Sequence, residues 1–404
     1  MMNRILKKIL VNTNKNAGAL LFSLFNLLSF NTQENDSSDL EDVNRILIIS
    51  LHKIEDVLFT TPAIRALRER FPKAKLTVWV KSRGRAALEN NPHVDEILIF
   101  DNISVARGFE DINHFDIESR LKFVSELRTR KFDLVVDLVG TYGTNIYSFL
   151  SGAPLRFGFD QHGFGFLFTK STYLGRGKHL KEKNLEVIRT VGITPKNDNL
   201  EMRLSLSEKE LSEKFIIDYN LSSKDFLVGI HPGAGWATKR WPPAKFGQLA
   251  NLLVKETDAN IVVFGNKGEE KLVKEMLRQM KTKPIIMCGK LDLREMAAII
   301  SKCHLFLGND TGSTYIAEAL KVPVGVFFGP TNPVYSAPLG TKCVIINKRV
   351  ECSPMGLHQY CFDEPGVPCR VGTHECMNSI TAQEAFQALK SILPQRMVVK
   401  NVKG

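Results

Sequence analysis

The sequence predicts an α/β chain built as two doubly wound units in tandem, facing a central cleft. Three observations carry that prediction. Short apolar runs alternate with stretches of helical spacing from Arg45 onward, the alternation restarts at Phe226 after an irregular interval, and residues 305–330 read as a complete strand–turn–helix–strand unit. Alternation on this scale specifies parallel sheets covered by helices on both faces. Strand carboxyl ends from both sheets then open into the space between them. At 404 residues the chain suits two or three domains, each with its own core.

Residues 1–44 stand outside this pattern. Arg4, Lys7, Lys8 and Lys15 precede an apolar stretch, Ala17 to Phe30, too short to span a bilayer and followed by no small-x-small cleavage site. It reads as an interfacial helix whose basic residues meet acidic headgroups, followed by a polar linker, Gln33 to Asp42.

The first globular unit, residues 45–222, opens on the strand Arg45 to Ser50. The turn Leu51 to Asp56 leads to a helix with Pro62 in its first turn and an apolar stripe of Ala63, Leu67 and Phe71. Leu76 to Val80, Glu96 to Phe100 and Phe132 to Gly140 are the next strands. Residues 151–225, rich in glycine, phenylalanine and basic side chains, predict a mobile surface region.

The second unit, residues 223–395, starts with the run Phe226 to Trp236. A helix from Pro243 to Lys255, a strand from Asn260 to Gly265, a charged helix ending near Met280, a strand from Pro284 to Cys288 and a helix from Leu293 to Ser301 follow. The strand Leu305 to Gly308, the turn Asn309 to Ser313, the helix Tyr315 to Leu320 and the strand Val324 to Phe328 form the diagnostic unit. A last helix near Thr381 to Leu393 packs over one unit or the other.

A net charge of +11 favours anionic partners: nucleotides, phosphorylated glycolipids or an acidic membrane face. Nucleic acid is disfavoured, because no zinc-finger spacing, ribonucleoprotein motif or basic–aromatic repeat occurs. Of the seven cysteines, Cys288, Cys303 and Cys343 border apolar runs and read as small core residues. Cys352, Cys361, Cys369 and Cys376 share a loop-like segment with His358 and His374, at spacings that match no common zinc knuckle. A stapled or metal-bound loop is the minority alternative there.

Three turns could carry chemistry. Asp56, after the first strand, projects from a carboxyl edge, where a carboxylate can take a proton from an attacking hydroxyl; capping the next helix is equally open on position alone. His52 and Lys53 read as facing solvent. In the segment His231 to Phe246, Gly233 and Gly235 allow close backbone approach, and Lys239 offers a point charge to phosphate beside Arg240. Trp236 and Trp241 read as packing residues. The turn Asn309 to Ser313 opens a helix whose N–H groups and dipole suit a phosphate, although Asp310 and Thr311 could merely cap it. Two anion-friendly turns at neighbouring strand ends point to a nucleotide diphosphate. The chain contains no Asp-x-Asp, so no metal is expected on that diphosphate.

The segments Ile46 to Pro72, His231 to Phe246 and Leu307 to Pro333 resemble, in order, the signature regions of glycosyltransferase family 9, the heptosyltransferases of lipopolysaccharide core assembly. The resemblance extends over about residues 45–390. It implies the GT-B architecture of two Rossmann-like domains and metal-independent, inverting transfer from ADP-heptose to a lipopolysaccharide-core or similar glycolipid acceptor, with no cofactor. It also implies a cytoplasmic enzyme touching the inner-membrane face. Asp56 matches the family's catalytic base, Lys239 the lysine on the donor diphosphate, and Asp310, Thr311 and Gly312 the donor-binding Asp-Thr-Gly. Gly233 falls in the donor-side signature. The chain departs at Ser50, where relatives commonly have Arg, at Glu55, where most have Gly, and at Tyr315, where they often have His. Those departures motivate an alternative, a catalytically degenerate member that binds nucleotide or glycolipid at a membrane. A nicotinamide-dependent oxidoreductase fits the winding but lacks the fingerprint glycines.

Overall fold

The computed structural model describes residues 40–103, 117–160, 164–173, 177–222, 224–340, 342–352, 369 and 371–393. The N-terminal interfacial helix expected at residues 17–30 lies outside them, as do Cys361 and His358. No helix among the described residues is long and apolar enough to cross a membrane.

The first sheet contains β1 (Arg45–Ile49), β2 (Lys75–Val80), β3 (Glu96–Ile99), β4 (Leu134–Asp137), β5 (Leu155–Phe159) and β6 (Lys170–Thr172). The second contains β7 (Leu227–His231), β8 (Asn260–Val263), β9 (Ile285–Ile286), β10 (Leu305–Asn309), β11 (Val324–Phe328) and β12 (Cys343–Asn347). Their spatial orders, β3-β2-β1-β4-β5-β6 and β12-β11-β10-β7-β8-β9, are the same winding seen from opposite edges. Every pairing is parallel. The strand order reverses between β1 and β4 and again between β7 and β10, and a crevice opens at such a switch point.

The central strands are apolar on both faces because helices cover both. Ile46 to Ile49, Leu76 to Val80, Leu305 to Asn309 and Val324 to Phe328 are all buried. The helices that frame the crevices are α1 (Ile54–Leu58), α2 (Thr61–Arg70), α3 (Leu180–Thr190), α4 (Leu206–Asp218), α5 (Pro243–Thr257), α6 (Leu293–Ile300), α7 (Gly312–Ala319) and α8 (Ala382–Leu389). α8 packs on α5 and β12, so the last helix covers the second unit. α4 packs on α6 and α1 on α7, which joins the two units face to face.

Residues 151–225 differ from expectation: they supply β5, β6, α3 and α4. The misleading signal was glycine used for close packing. A Cβ on Gly158, within β5, would lie 2.5 Å from the Phe168 ring, so the residue is small because an aromatic ring covers it. β4 also ends earlier than its apolar run, since Asp137 Oδ1 accepts from the amides of Val139 and Gly140 and turns the chain.

Candidate active site

α1 begins at the residue after Lys53, whose side chain offers no cap, and places Glu55 and Asp56 in its first turn. Asp56 is therefore a helical residue aimed from the carboxyl end of the first sheet and not the cap. Burial pushes its carboxyl up to about 6, against the pull of the Lys53 and Lys239 ammonium groups and with a contribution from the charge of Asp310. Burial and the adjacent Asp56 push Glu55 up to about 7. Charges from Lys239 and Asp310 reach Asp56 because the second unit faces it across a shared crevice.

Three loops of the second unit are fastened there by Asn309, fully buried at the end of β10. Its Nδ2 donates to the carbonyls of Pro232 and Gly233, each at 3.0 Å, and its Oδ1 accepts from the Trp241 amide at 2.9 Å. One planar amide thus ties the β7 turn, the lysine turn and the β10 turn together. Beside it, Asp310 accepts from Lys239 Nζ at 2.7 Å and from the Tyr315 hydroxyl. Burial disfavours the Asp310 charge, but the Lys239 ammonium and these hydrogen bonds outweigh it and hold the carboxyl below the usual range. Burial and the Asp310 charge raise the Tyr315 hydroxyl well above its ordinary value, so it stays a neutral donor.

Thr311 occupies the N-cap position of α7 without a side-chain cap. Neither Asp310 nor Thr311 caps the helix, and its amino end faces α1: a Cβ on Gly312 would lie 2.7 Å from Ile54 Cγ2 and 3.3 Å from Glu55 Oε2. The units also meet where the Phe59 ring packs edgewise on Tyr315 at 5.1 Å and on His179 at 5.4 Å. His179 Nε2 lies 3.0 Å from the Ala337 carbonyl across the same seam.

Gly233 has a structural explanation besides any ligand: a Cβ there would lie 1.8 Å from Glu269 Oε1. Glu269 is 2.9 Å from His231 Nε2, and His231 Nδ1 is 2.7 Å from Ser313 Oγ. This buried chain links the β8 loop to the start of α7. Sequence reasoning missed it, although the capping box from Asn266 to Glu269 was a local signal for that loop. The expectation for Trp241 holds: it is buried and stacked on Phe327 at 4.0 Å. Trp236 differs, being half-buried at the crevice with Lys53 Nζ 5.4 Å and Lys239 Nζ 5.7 Å from its ring. Lys53, exposed as expected, still spans the gap to that ring.

Cys303 is buried and Cys288 and Cys343 half-buried. Cys352 and Cys369 are half-buried and Cys376 is buried. No group of three His, Cys, Asp or Glu residues is arranged to hold a metal among the described residues. His374 Nε2 lies 2.6 Å from the Thr238 carbonyl, which fastens the cysteine-bearing tail to the lysine turn.

A family model described as glycosyltransferase family 9 (heptosyltransferase) matches residues 120–362. Lipopolysaccharide heptosyltransferase 2 of Salmonella typhimurium is 24% identical over 365 residues, covering 88% of this chain and 100% of that one. Lipopolysaccharide heptosyltransferase 3 of Escherichia coli is 29% identical over 294 residues, 70% of this chain and 82% of that one. Among solved structures, a family 9 glycosyl transferase from Veillonella parvula superposes with a TM-score of 0.72 at 23% identity, over 89% of this chain and 99% of that one. The E. coli heptosyltransferase WaaC with ADP-2-deoxy-2-fluoro heptose superposes at 0.64 and 17% identity, over 86% of this chain and 100% of that one. The shared fold is the GT-B arrangement of two doubly wound domains.

Proposed function

The chain belongs to glycosyltransferase family 9 and is a glycosyltransferase; we propose that it moves heptose, with inversion and without a metal, from ADP-heptose to a lipopolysaccharide-core or similar glycolipid acceptor. The observation that carries this reading is the confrontation of Asp56 with Lys239 and the uncapped amino end of α7 across one crevice. The names of the heptosyltransferase relatives, and the ADP-2-deoxy-2-fluoro heptose that accompanies WaaC in its structure, support the donor.

In this mechanism Asp56 accepts the proton of an acceptor hydroxyl, whose oxygen bonds to the anomeric carbon opposite the nucleotide. The bond from that carbon to the diphosphate oxygen breaks, and negative charge gathers on the departing ADP. The Lys239 ammonium and the amides around Thr311 and Gly312 stabilise that charge; fixed donors of this kind need no rearrangement when the charge appears. The ammonium has three protons, so it can keep Asp310 while meeting a phosphate oxygen. Gly233 and Asp310 shape the same donor pocket. Because burial holds Asp56 near 6, it is a basic carboxylate at neutral pH yet still ionised. We place the enzyme on the cytoplasmic side of the inner membrane, with residues 1–44 as the peripheral attachment.

Replacing Asp56 with Ala is expected to lower turnover at least about a thousandfold while donor affinity stays within a few fold. Product mass spectrometry with ADP-heptose and a truncated core acceptor measures this. Wild-type kcat/KM should rise with pH through about 6, as Asp56 loses its proton. Undiminished turnover in the Asp56→Ala variant refutes the assignment, and donor binding without product from the wild type favours the degenerate alternative.

A further inference from the structure

The amino end of α7 is not vacant: Glu55 reaches it from the other unit. A Cβ on Gly312 would lie 3.3 Å from Glu55 Oε2, so this carboxyl stands beside the uncapped helix end that would receive a phosphate oxygen. Burial and the charge of Asp56 disfavour its anion, against the pull of the Lys53 and Lys239 ammonium groups. Lys53 and Asp56 act on Glu55 from its own segment and Lys239 from the lysine turn; Asp310 acts on Asp56, and Tyr315 feels Glu55 from α7. On the opposite side of α1, the turn of residues 82–87 packs through Gly84 on Val57, with Arg83 exposed and Arg85 paired to Glu89. With Glu55, Asp56 and Asp310 ionised against Lys53 and Lys239, the crevice is net negative before an anionic donor enters.

Resting on the donor reading above, we propose that Glu55 is a donor-binding acid of the crevice that holds the diphosphate in its protonated form, its carboxyl O–H donating to a phosphate oxygen. One proton is taken from solvent as the donor binds and is returned when ADP leaves, so the diphosphate meets a crevice with one negative charge fewer. The position of Glu55 near 7 makes that uptake accessible at neutral pH. A neutral carboxyl against the helix end costs far less than two anions there, and it supplies a hydrogen bond that a carboxylate cannot.

The test is calorimetric titration of the full chain with ADP-heptose, without acceptor, between pH 6 and pH 8.5 in buffers of different ionisation enthalpy. The donor's doubly esterified diphosphate does not titrate in that range. The wild type should take up close to one proton per donor at pH 8, and its affinity should weaken toward tenfold per pH unit above about 7. Glu55→Gln, which keeps a hydrogen-bond donor without the charge, should bind with little pH dependence, roughly tenfold tighter than the wild type at pH 8 and similarly at pH 6. Absence of proton uptake by the wild type, a measurement independent of any variant's folding, overturns the proposal. So does an unchanged pH slope in Glu55→Gln. Failure of ADP-heptose to bind at any pH overturns the donor reading itself, and this inference with it.

Discussion

Lys239 and Asp310 form an ion pair that is structural in itself and lies in the donor site proposed above. Asp310 is buried and Lys239 partly so, and their contact of 2.7 Å replaces water that neither can keep. Removing one partner from such a pair leaves a charge with neither solvent nor counter-ion, typically a loss of about 3 kcal/mol. Lys239→Met is therefore expected to destabilise the protein by about that amount at neutral pH, and Lys239→Met/Asp310→Asn by clearly less, measured by urea denaturation. The sign with pH follows from the depressed Asp310 carboxyl: its stabilising contribution is present above the unfolded carboxylate range and is lost as pH falls through the folded value. The gap between wild type and Lys239→Met should shrink in acid. On the donor reading proposed above, the single variant should also weaken ADP-heptose binding about tenfold or more, since a charge-assisted contact to phosphate is worth at least ~1.4 kcal/mol.

At the scale of elements, small residues decide how closely helices and strands approach. Gly247 lies in the middle of α5, where alanine normally stabilises a helix by about 1 kcal/mol. Here a Cβ would meet the Met276 carbonyl oxygen at 2.3 Å and Gln279 Cβ at 2.8 Å. The obstacle is backbone from the neighbouring helix, so the overpacking penalty of about 1 to 3 kcal/mol exceeds the propensity gain. Gly247→Ala should lower the thermal midpoint, and a rise would show that the two helices separate easily. The same logic explains why residues 151–225 misled a reading by composition. Gly158 signals a ring stacked over a strand and not a loop, and only the distant Phe168 makes that distinction. By contrast β1, β7, β10 and β11 were legible because double-sided burial demands unbroken apolar runs.

For the whole molecule, the alignment of the two units depends on contacts that no local pattern announces. Arg294 of α6 donates to both Glu208 oxygens on α4, to the Ala86 carbonyl and to the Arg203 carbonyl. It is 8% exposed, so Arg294→Ala strands Glu208 in a poorly solvated seam. We expect a loss of about 3 kcal/mol together with reduced turnover, as Asp56 loses its alignment with the α7 turn. Lys302, just past the end of α6, pairs with Glu213 of α4 at the surface, where the Glu213 side chain is 64% exposed. Lys302→Ala should cost less than about 1 kcal/mol. Parallel denaturation curves for the two variants check the contrast, and equal losses would mean that burial does not govern this interface.

By itself the sequence determined the two parallel windings, the three turns that meet the crevice and the membership of the family. Each depends on local chemistry: apolar runs long enough for buried strands, and glycine, lysine and Asp-Thr-Gly at strand ends. Only the tertiary structure decided that Asn309 binds three loops, that His231, Glu269 and Ser313 form one chain, and that Glu55 rests against the amino end of α7. Those contacts join residues dozens to hundreds of positions apart. The first two are buried within the second unit and form when it folds, whereas the Glu55 contact exists only once both units have closed on each other.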